Sequence, residues 1–289
     1  MGVALPHLRA LVAVADTGGF GTAAVRLGIS QSAVSHAIAA LERAAGRPVL
    51  ARDVPIVPTM LGRRLLEHAR VAVAAAAAAE EVLRQDDDPT GMITVAAPPT
   101  ACHGLLPELL AAWAADVPKV ELVILEGEDD EVAGWLEDGT ADSAILVDPA
   151  DPAPGAVLIG RDVFHAVLRS DHPLAREAAV DVADLSDDPL LLSTGGCERH
   201  VRELHRRARC EFTPAHRVRQ LSTLFSMVRA GLGVSLVPGL ASGMEGDGLV
   251  LVPLVQSVGR SLLLTGPVSR PWRPAVELMV ESRRARSAA

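Results

Sequence analysis

Apolar positions along the chain follow three successive rhythms. In the first, Leu8, Leu11, Val12 and Ala15 return at helical spacing until the polar, glycine-rich stretch DTGGFG (16–21) interrupts them. A short helix over 22–27 is expected to end at Gly28, the residue type best suited to a left-handed C-cap. Ser30 has the side chain of an N-cap, and Val34, Ile38 and Leu41 give the next helix a single buried stripe. Helix, three-residue turn and longer helix make a helix-turn-helix. A hairpin or extended wing over 52–59 should follow.

The second rhythm covers 62–85, where Leu61, Leu65, Leu66, Ala69, Ala72 and Val73 mark one face ahead of an alanine block. Alanine is the strongest helix former, so this segment is expected to be a stiff rod of about 36 Å. Such small side chains bury little alone, which favours pairing with a second copy. The run QDDDPTG (85–91) ends it. In the third rhythm, strand-like runs (MITVAA, VELVILEG, SAILVD, HAVLRS, VSLVP, LLLTG) alternate with helical ones (LLPELLAAWAA, EVAGWLEDG, ERHVRELHRRA, STLFSMVRAGLG). That alternation predicts parallel sheet with crossover helices, over a stretch too long for one small sheet, hence two α/β lobes.

Composition narrows the class. The 289 residues are 49% apolar and 22% charged, with no Tyr and few other aromatics, so the core must be aliphatic. The N-terminus lacks the basic-then-apolar pattern of a secretory signal. The apolar run over 71–79 falls well short of the roughly 20 residues of a membrane span. Three cysteines do not suggest a disulfide framework. The expectation is a reduced, cytoplasmic protein with no membrane association. The net charge of −9 conceals an asymmetry: residues 1–70 hold eight arginines against four carboxylates, while the remainder holds 19 bases against 32 acids. A basic head on an acidic body can still bind phosphate, because local clustering governs that interaction.

The head reads LVAVADTGGFGTAAVRLGISQSAVSHAIAALERAAGRPVLAR, followed by PTMLG (58–62). Phe20, Ala23, Ala24, Leu27, Ser30, Gln31, Ser35, Leu41, Glu42, Gly46 and Arg52 stand where LysR-type bacterial transcription regulators place those residue types. Downstream, GTADSAILV, SDHPLA, VADLSDDPLLL and VRAGLGVSLVPGL look like that family's effector-domain segments. The chain thus resembles the LysR-type family over nearly its whole length. The resemblance implies a multidomain fold with a winged helix-turn-helix over 1–61 and a linker or dimerisation helix over 62–88. It also implies an α/β, two-lobed effector domain like the type 2 periplasmic binding proteins over 89–289. Lobe I would take about 92–160 and 265–289, and lobe II about 161–264. The function implied is a DNA-binding transcriptional regulator whose promoter binding or activation responds to a small anionic molecule held between the lobes. Its implied partners are double-stranded promoter DNA, RNA polymerase, and further copies of itself in a dimer or dimer of dimers. No cofactor is expected.

A recognition helix enters the major groove by its first residues, here Gln31, Ser32, Ser35 and His36; Gln can read adenine bidentately. Thr22 and Arg26 are candidates for holding phosphate, with Arg52 and Thr59 from the wing. Two departures from the family pattern matter. Ala37 and Ala40 stand where members often carry Arg or Gln, and the wing looks about one residue short, with only Arg52 basic. Fewer cations release fewer counterions, which predicts weak, less salt-sensitive binding by one head and reliance on the oligomer.

Helix N-termini suit anions, and the family's pocket loops correspond to PPTACH (98–103), STGGCERH (193–200), QLST (220–223) and Pro238. The effector candidates are Thr100, Cys102, His103, Thr194, Gly196, Cys197, Ser222, Thr223 and Pro238. Simple helix capping is an equal alternative for each hydroxyl. Arg199 could add charge for an anion. Cys197 with Cys210 resembles the paired cysteines of the family's peroxide sensors, and a helix N-terminus can activate a thiol. Along one helix the two would lie ~20 Å apart, beyond bridging, so a redox-sensing regulator stands as the alternative. Neither C-x-x-C nor H-E-x-x-H spacing occurs to support a metal. There is no G-x-S-x-G elbow, P-loop or G-x-G-x-x-G to support an enzyme. GLGVS closes a helix and opens a strand, the reverse of a dinucleotide site. A solute-binding protein would share the lobes but not the helix-turn-helix.

Overall fold

The structure, a computed structural model, describes residues 2–51, 55–83 and 90–288. Three helices open the chain: α1 (Leu5–Thr17), α2 (Phe20–Leu27) and α3 (Gln31–Ala45). Gly28, at φ +65°, ends α2 in the left-handed conformation and so allows α3 to start three residues later. The Ser30 hydroxyl accepts from the Ala33 N–H at 3.2 Å, capping α3. Leu11, Val14, Ala23, Val34, Ile38 and Leu41 close a small core beneath the turn. β1 (Leu50–Ala51) and β2 (Val57–Pro58) pair antiparallel at the base of the wing. Arg52, the expected wing cation, lies outside the described residues.

The rod is α4 (Met60–Leu83), one helix of 24 residues. It starts two residues ahead of the expected position because Thr59 caps it. The Thr59 hydroxyl accepts from Gly62 N–H and donates to the Pro48 carbonyl, each at 3.0 Å. A Cβ at Gly62 would meet the Val49 carbonyl oxygen at 1.9 Å, so only glycine lets the rod lie this close to the wing. Leu61, Leu65, Leu66 and Ala69 pack into the head's core, and Arg9 of α1 pairs with Glu80 at 2.6 Å. Head and rod therefore form one packed unit.

Beyond the rod, β3 (Gly91–Ala97), β4 (Val120–Glu126) and β5 (Ser143–Val147) build the first lobe's parallel sheet. It carries α5 (Pro99–Gly104), α6 (Leu106–Asp116), α7 (Asp129–Asp138) and, from the C-terminus, α10 (Pro274–Ala288). The 13-residue β6 (Val157–Arg169) begins against β11 (Gly259–Thr265) in this lobe. It then continues into the second lobe, where β9 (Ser235–Pro238) and β10 (Leu249–Pro253) flank it. β7 (Leu190–Ser193) and β8 (Pro214–Val218) form a separate parallel pair, with α8 (Glu198–Ala208) and α9 (Leu221–Arg229) beside them. The expected parallel pairing holds for β3–β4, β3–β5 and β7–β8. The strands that cross between lobes run antiparallel, so the sheet with order β10-β6-β11-β5-β3-β4 is mixed.

The return crossing also falls earlier than expected. Val258 packs in the second lobe's core, but Leu262 and Leu264 belong to the first lobe's, and β11 pairs with β5 from Leu262 onward. Lobe II therefore ends near 258 rather than 264. Among the described residues, no helix is long and apolar enough to cross a membrane.

Candidate DNA-reading and effector sites

Gln31, Ser32 and His36 are exposed at the first turns of α3: Ser32 and His36 face away from buried Val34, Ile38 and Leu41, whereas Gln31 shares their stripe and is open because it is the helix's first residue; Ser35 is half-buried. The other expected contacts are partly spent inside the head. The Thr22 hydroxyl donates to the Gly19 carbonyl at 3.0 Å, and Arg26 pairs with Asp16 at 3.0 Å. Thr59 is occupied with capping α4.

Where the lobes join, a buried ion pair sits across two strands. Arg260 of β11 stands directly opposite Asp162 of β6, and its Nε and Nη2 donate to the Asp162 Oδ2 at 3.1 and 2.8 Å. The same Nη2 donates to the Thr100 hydroxyl at 2.8 Å, and Asp162 also accepts from the Leu240 N–H at 3.2 Å. Thr100 thus serves a buried network that joins α5 to both lobes. Nearby, Asp148 accepts from Ser261 N–H at 2.6 Å and lies 2.9 Å from the His200 Nε2. The His200 ring stacks on Phe164, and burial holds its pKa below the ordinary imidazole value. Arg199, which could add charge for an anion, donates to the Val147 carbonyl at 3.0 Å.

The N-terminal approach to α8, the expected anion site, is covered by the chain itself. A Cβ at Gly195 would meet a Glu128 carboxylate oxygen at 1.8 Å, and one at Gly196 would meet an Asp129 oxygen at 2.2 Å. Glu128 and Asp129 begin α7 in the first lobe, so two carboxylates close upon the second. Burial pushes Asp129 up to about 6, against the pull of Arg260 and Arg199, and raises Glu128 as well. Cys197 is buried beside them, and burial drives its thiol up to about 12. Cys102 is pushed to about 12 by burial and by Glu126, and its Sγ donates to the Ala97 carbonyl.

An open cavity of about 380 Å³ remains between the lobes. Glu126, Glu128 and Glu131 line it from the first lobe, and Arg219, Gln220 and Ser222 from the start of α9 in the second. Arg219 lies 2.5 Å from Glu131 and 3.9 Å from Glu128. Of the nine expected effector residues, Ser222 alone lines this cavity. Thr100, Cys197 and Pro238 are buried, Cys102 is half-buried, and Gly196 lies against Asp129. His103, Thr194 and Thr223 are exposed outside it.

Sequence reasoning missed Arg260, Asp162 and Asp129. For the first two a signal existed: Arg260 is in phase with buried Leu262 and Leu264, and Asp162 with buried Phe164 and Ala166. A charge on the inward phase of a strand needs a buried partner.

Residues 5–63 match the family model for the bacterial regulatory helix-turn-helix protein, lysR family, and residues 86–288 match the LysR substrate binding domain. The chain belongs to the LysR family. An uncharacterized HTH-type transcriptional regulator, YvbU of Bacillus subtilis, is 31% identical over 96% of each chain. A probable hydrogen peroxide-inducible genes activator of Mycobacterium avium is 35% identical over 82% of this chain and 78% of that one. A full-length OxyR variant from Pseudomonas aeruginosa superimposes with a TM-score of 0.73 at 25% identity, covering 98% of this chain and 95% of that one. This LysR-family protein is a DNA-binding transcriptional regulator with an effector-binding domain.

Proposed function

We propose that this LysR-family regulator reads promoter DNA with the exposed start of α3 and adjusts its grip according to a small molecule in the interlobe cavity. It works as a dimer or dimer of dimers paired through the alanine face of α4. The observation that carries the effector reading is the cavity's two unlike walls. Arg219, Ser222 and the N-terminus of α9, whose N-cap Gln220 makes no side-chain cap bond, suit a carboxylate. The facing Glu126, Glu128 and Glu131 suit an ammonium. A simple anion meets more carboxylates than cations there, so the organic acid that fits best also carries an amino group. Thermal shift of the full chain compares L-leucine with 4-methylpentanoate and isopentylamine. Stabilisation by the amino acid alone supports the reading; equal stabilisation by the plain acid refutes it.

Base reading rests on Gln31. Gln31→Ala should weaken binding to the promoter region upstream of its own gene by about 1–3 kcal/mol while leaving binding to unrelated DNA unchanged, as compared by gel shift. Equal losses on both would assign Gln31 to phosphate instead.

The likeness to a probable hydrogen peroxide-inducible genes activator favours a second reading, thiol sensing at Cys197. The chemistry of the thiol opposes it. Reactive thiols sit where cations bring their pKa below the ordinary value, whereas burial drives Cys197 up to about 12 despite the pull of Arg260. Peroxide should leave the DNA affinity of wild type and Cys197→Ser alike; an oxidant response lost in the variant would restore thiol sensing.

A further inference from the structure

One carboxylate in the head stands between two arginines. Asp16, near the end of α1, accepts from Arg70 of the rod through Oδ1 at 2.5 Å and from Arg26 of α2 through Oδ2 at 3.0 Å. Arg70 is largely buried, and Arg26 is more open to solvent. At the same residue the rod touches the first lobe. A Cβ at Gly139, the C-cap of α7, would stand 3.1 Å from the Arg70 carbonyl carbon. The opposite end of α7 holds Glu128 and Asp129 against Gly195 and Gly196 of the second lobe. α7 is therefore a ten-residue strut, about 15 Å long, with one end on the lobe-to-lobe contact and the other on the rod at Arg70.

We propose that Asp16 is a positioning residue for Arg26, and that α7, acting through Arg70, sets how firmly Asp16 holds it. The proposal rests on the reading of Arg26 as a phosphate contact. Asp16 and a DNA phosphate compete for one guanidinium, because each binds it by charge-assisted hydrogen bonds. While Arg70 is seated, the charge of Asp16 is divided between two cations and Arg26 is held loosely. When the first lobe moves against the rod and unseats Arg70, Asp16 turns wholly to Arg26, and the head loses a phosphate contact. A head poor in cations is thereby governed through one of them. The effector never touches the head; it biases one seat that has two arrangements.

The test uses the full chain and a duplex from its own upstream region, with affinity followed from about 50 to 200 mM salt. Asp16→Asn should tighten binding and steepen the slope of log K against log salt by part of the roughly 0.9 that one full phosphate contact carries, since the wild type holds Arg26 between Asp16 and the phosphate. Arg70→Met should weaken binding and flatten the slope, and the double variant should behave as Asp16→Asn. In an Arg26→Gln background, Asp16→Asn should leave the slope unchanged. A packing role alone would alter affinity at every salt concentration without altering the slope. For the strut, Asp129→Asn should shift DNA affinity in the wild-type background and have no effect once Asp16 is Asn. Unchanged slopes in both single variants overturn the positioning role, and an Asp129→Asn effect that persists beside Asp16→Asn overturns the relay. Failure of the wild-type chain to bind the duplex at low salt would instead remove the DNA-reading assignment beneath both.

Discussion

Arg260→Leu is expected to destabilise the effector domain by about 3–5 kcal/mol, the usual consequence of removing one partner from a buried ion pair. Leucine fills much of the space but leaves the Asp162 carboxylate buried, with the Leu240 and Val163 N–H groups as its remaining donors among the described residues. It also strands the Thr100 hydroxyl, which Arg260 now engages at 2.8 Å. The loss should appear as a lower urea midpoint with little change in slope. Because the penalty comes from an unpaired charge rather than from lost packing, Asp162→Asn should recover part of it in the Arg260→Leu background. If the double variant is no more stable than Arg260→Leu, the pair matters by shape and not by charge. The pair ties together the two strands on which the chain crosses between lobes.

The head was legible because its signals are local. Gly28 and Ser30 lie within one turn of each other and settle the end of one helix and the start of the next, whatever the rest of the chain does. The alternation of strands and helices was legible for the same reason. The crossing strands were misjudged in direction and position because β6 serves both lobes, and nothing within its 13 residues says where one lobe stops. The cleft was least legible. Thr100 and Gly196, from two of the expected pocket loops, do lie near the junction, but they are engaged by the chain's own Arg260 and Asp129. Those partners lie 67 to 160 residues away, beyond the range of any periodic or capping signal. Chemistry alone marks a helix terminus as suited to an anion; what fills it here is settled by tertiary packing.

Asp129→Asn should therefore stabilise the protein, and only above the acid range. The carboxyl of Asp129 titrates near 6 in the folded state against an ordinary 3.8, because burial disfavours its charge more than Arg260 and Arg199 favour it. A raised value means that the folded protein binds this proton more tightly than the unfolded chain does. The favourable contribution is complete below about pH 4 and is lost as pH rises through about 6. At neutral pH the ionised group stands against folding by roughly 3 kcal/mol. Asparagine keeps the shape pressed upon Gly196 but cannot ionise. Wild type and variant should melt together near pH 4, and the variant should melt about 6–12 °C higher near pH 7.5. A gain of equal size at both pH values would mean better packing rather than a relieved charge. The functional corollary has the same sign. At working pH the ionised carboxylate opposes the lobe-to-lobe contact it makes at Gly196, and in the proposed function a ligand that moves the lobes has only that weakened contact to overcome. Neutralising Asp129 should make the closed arrangement more stable and the DNA response to a ligand shallower.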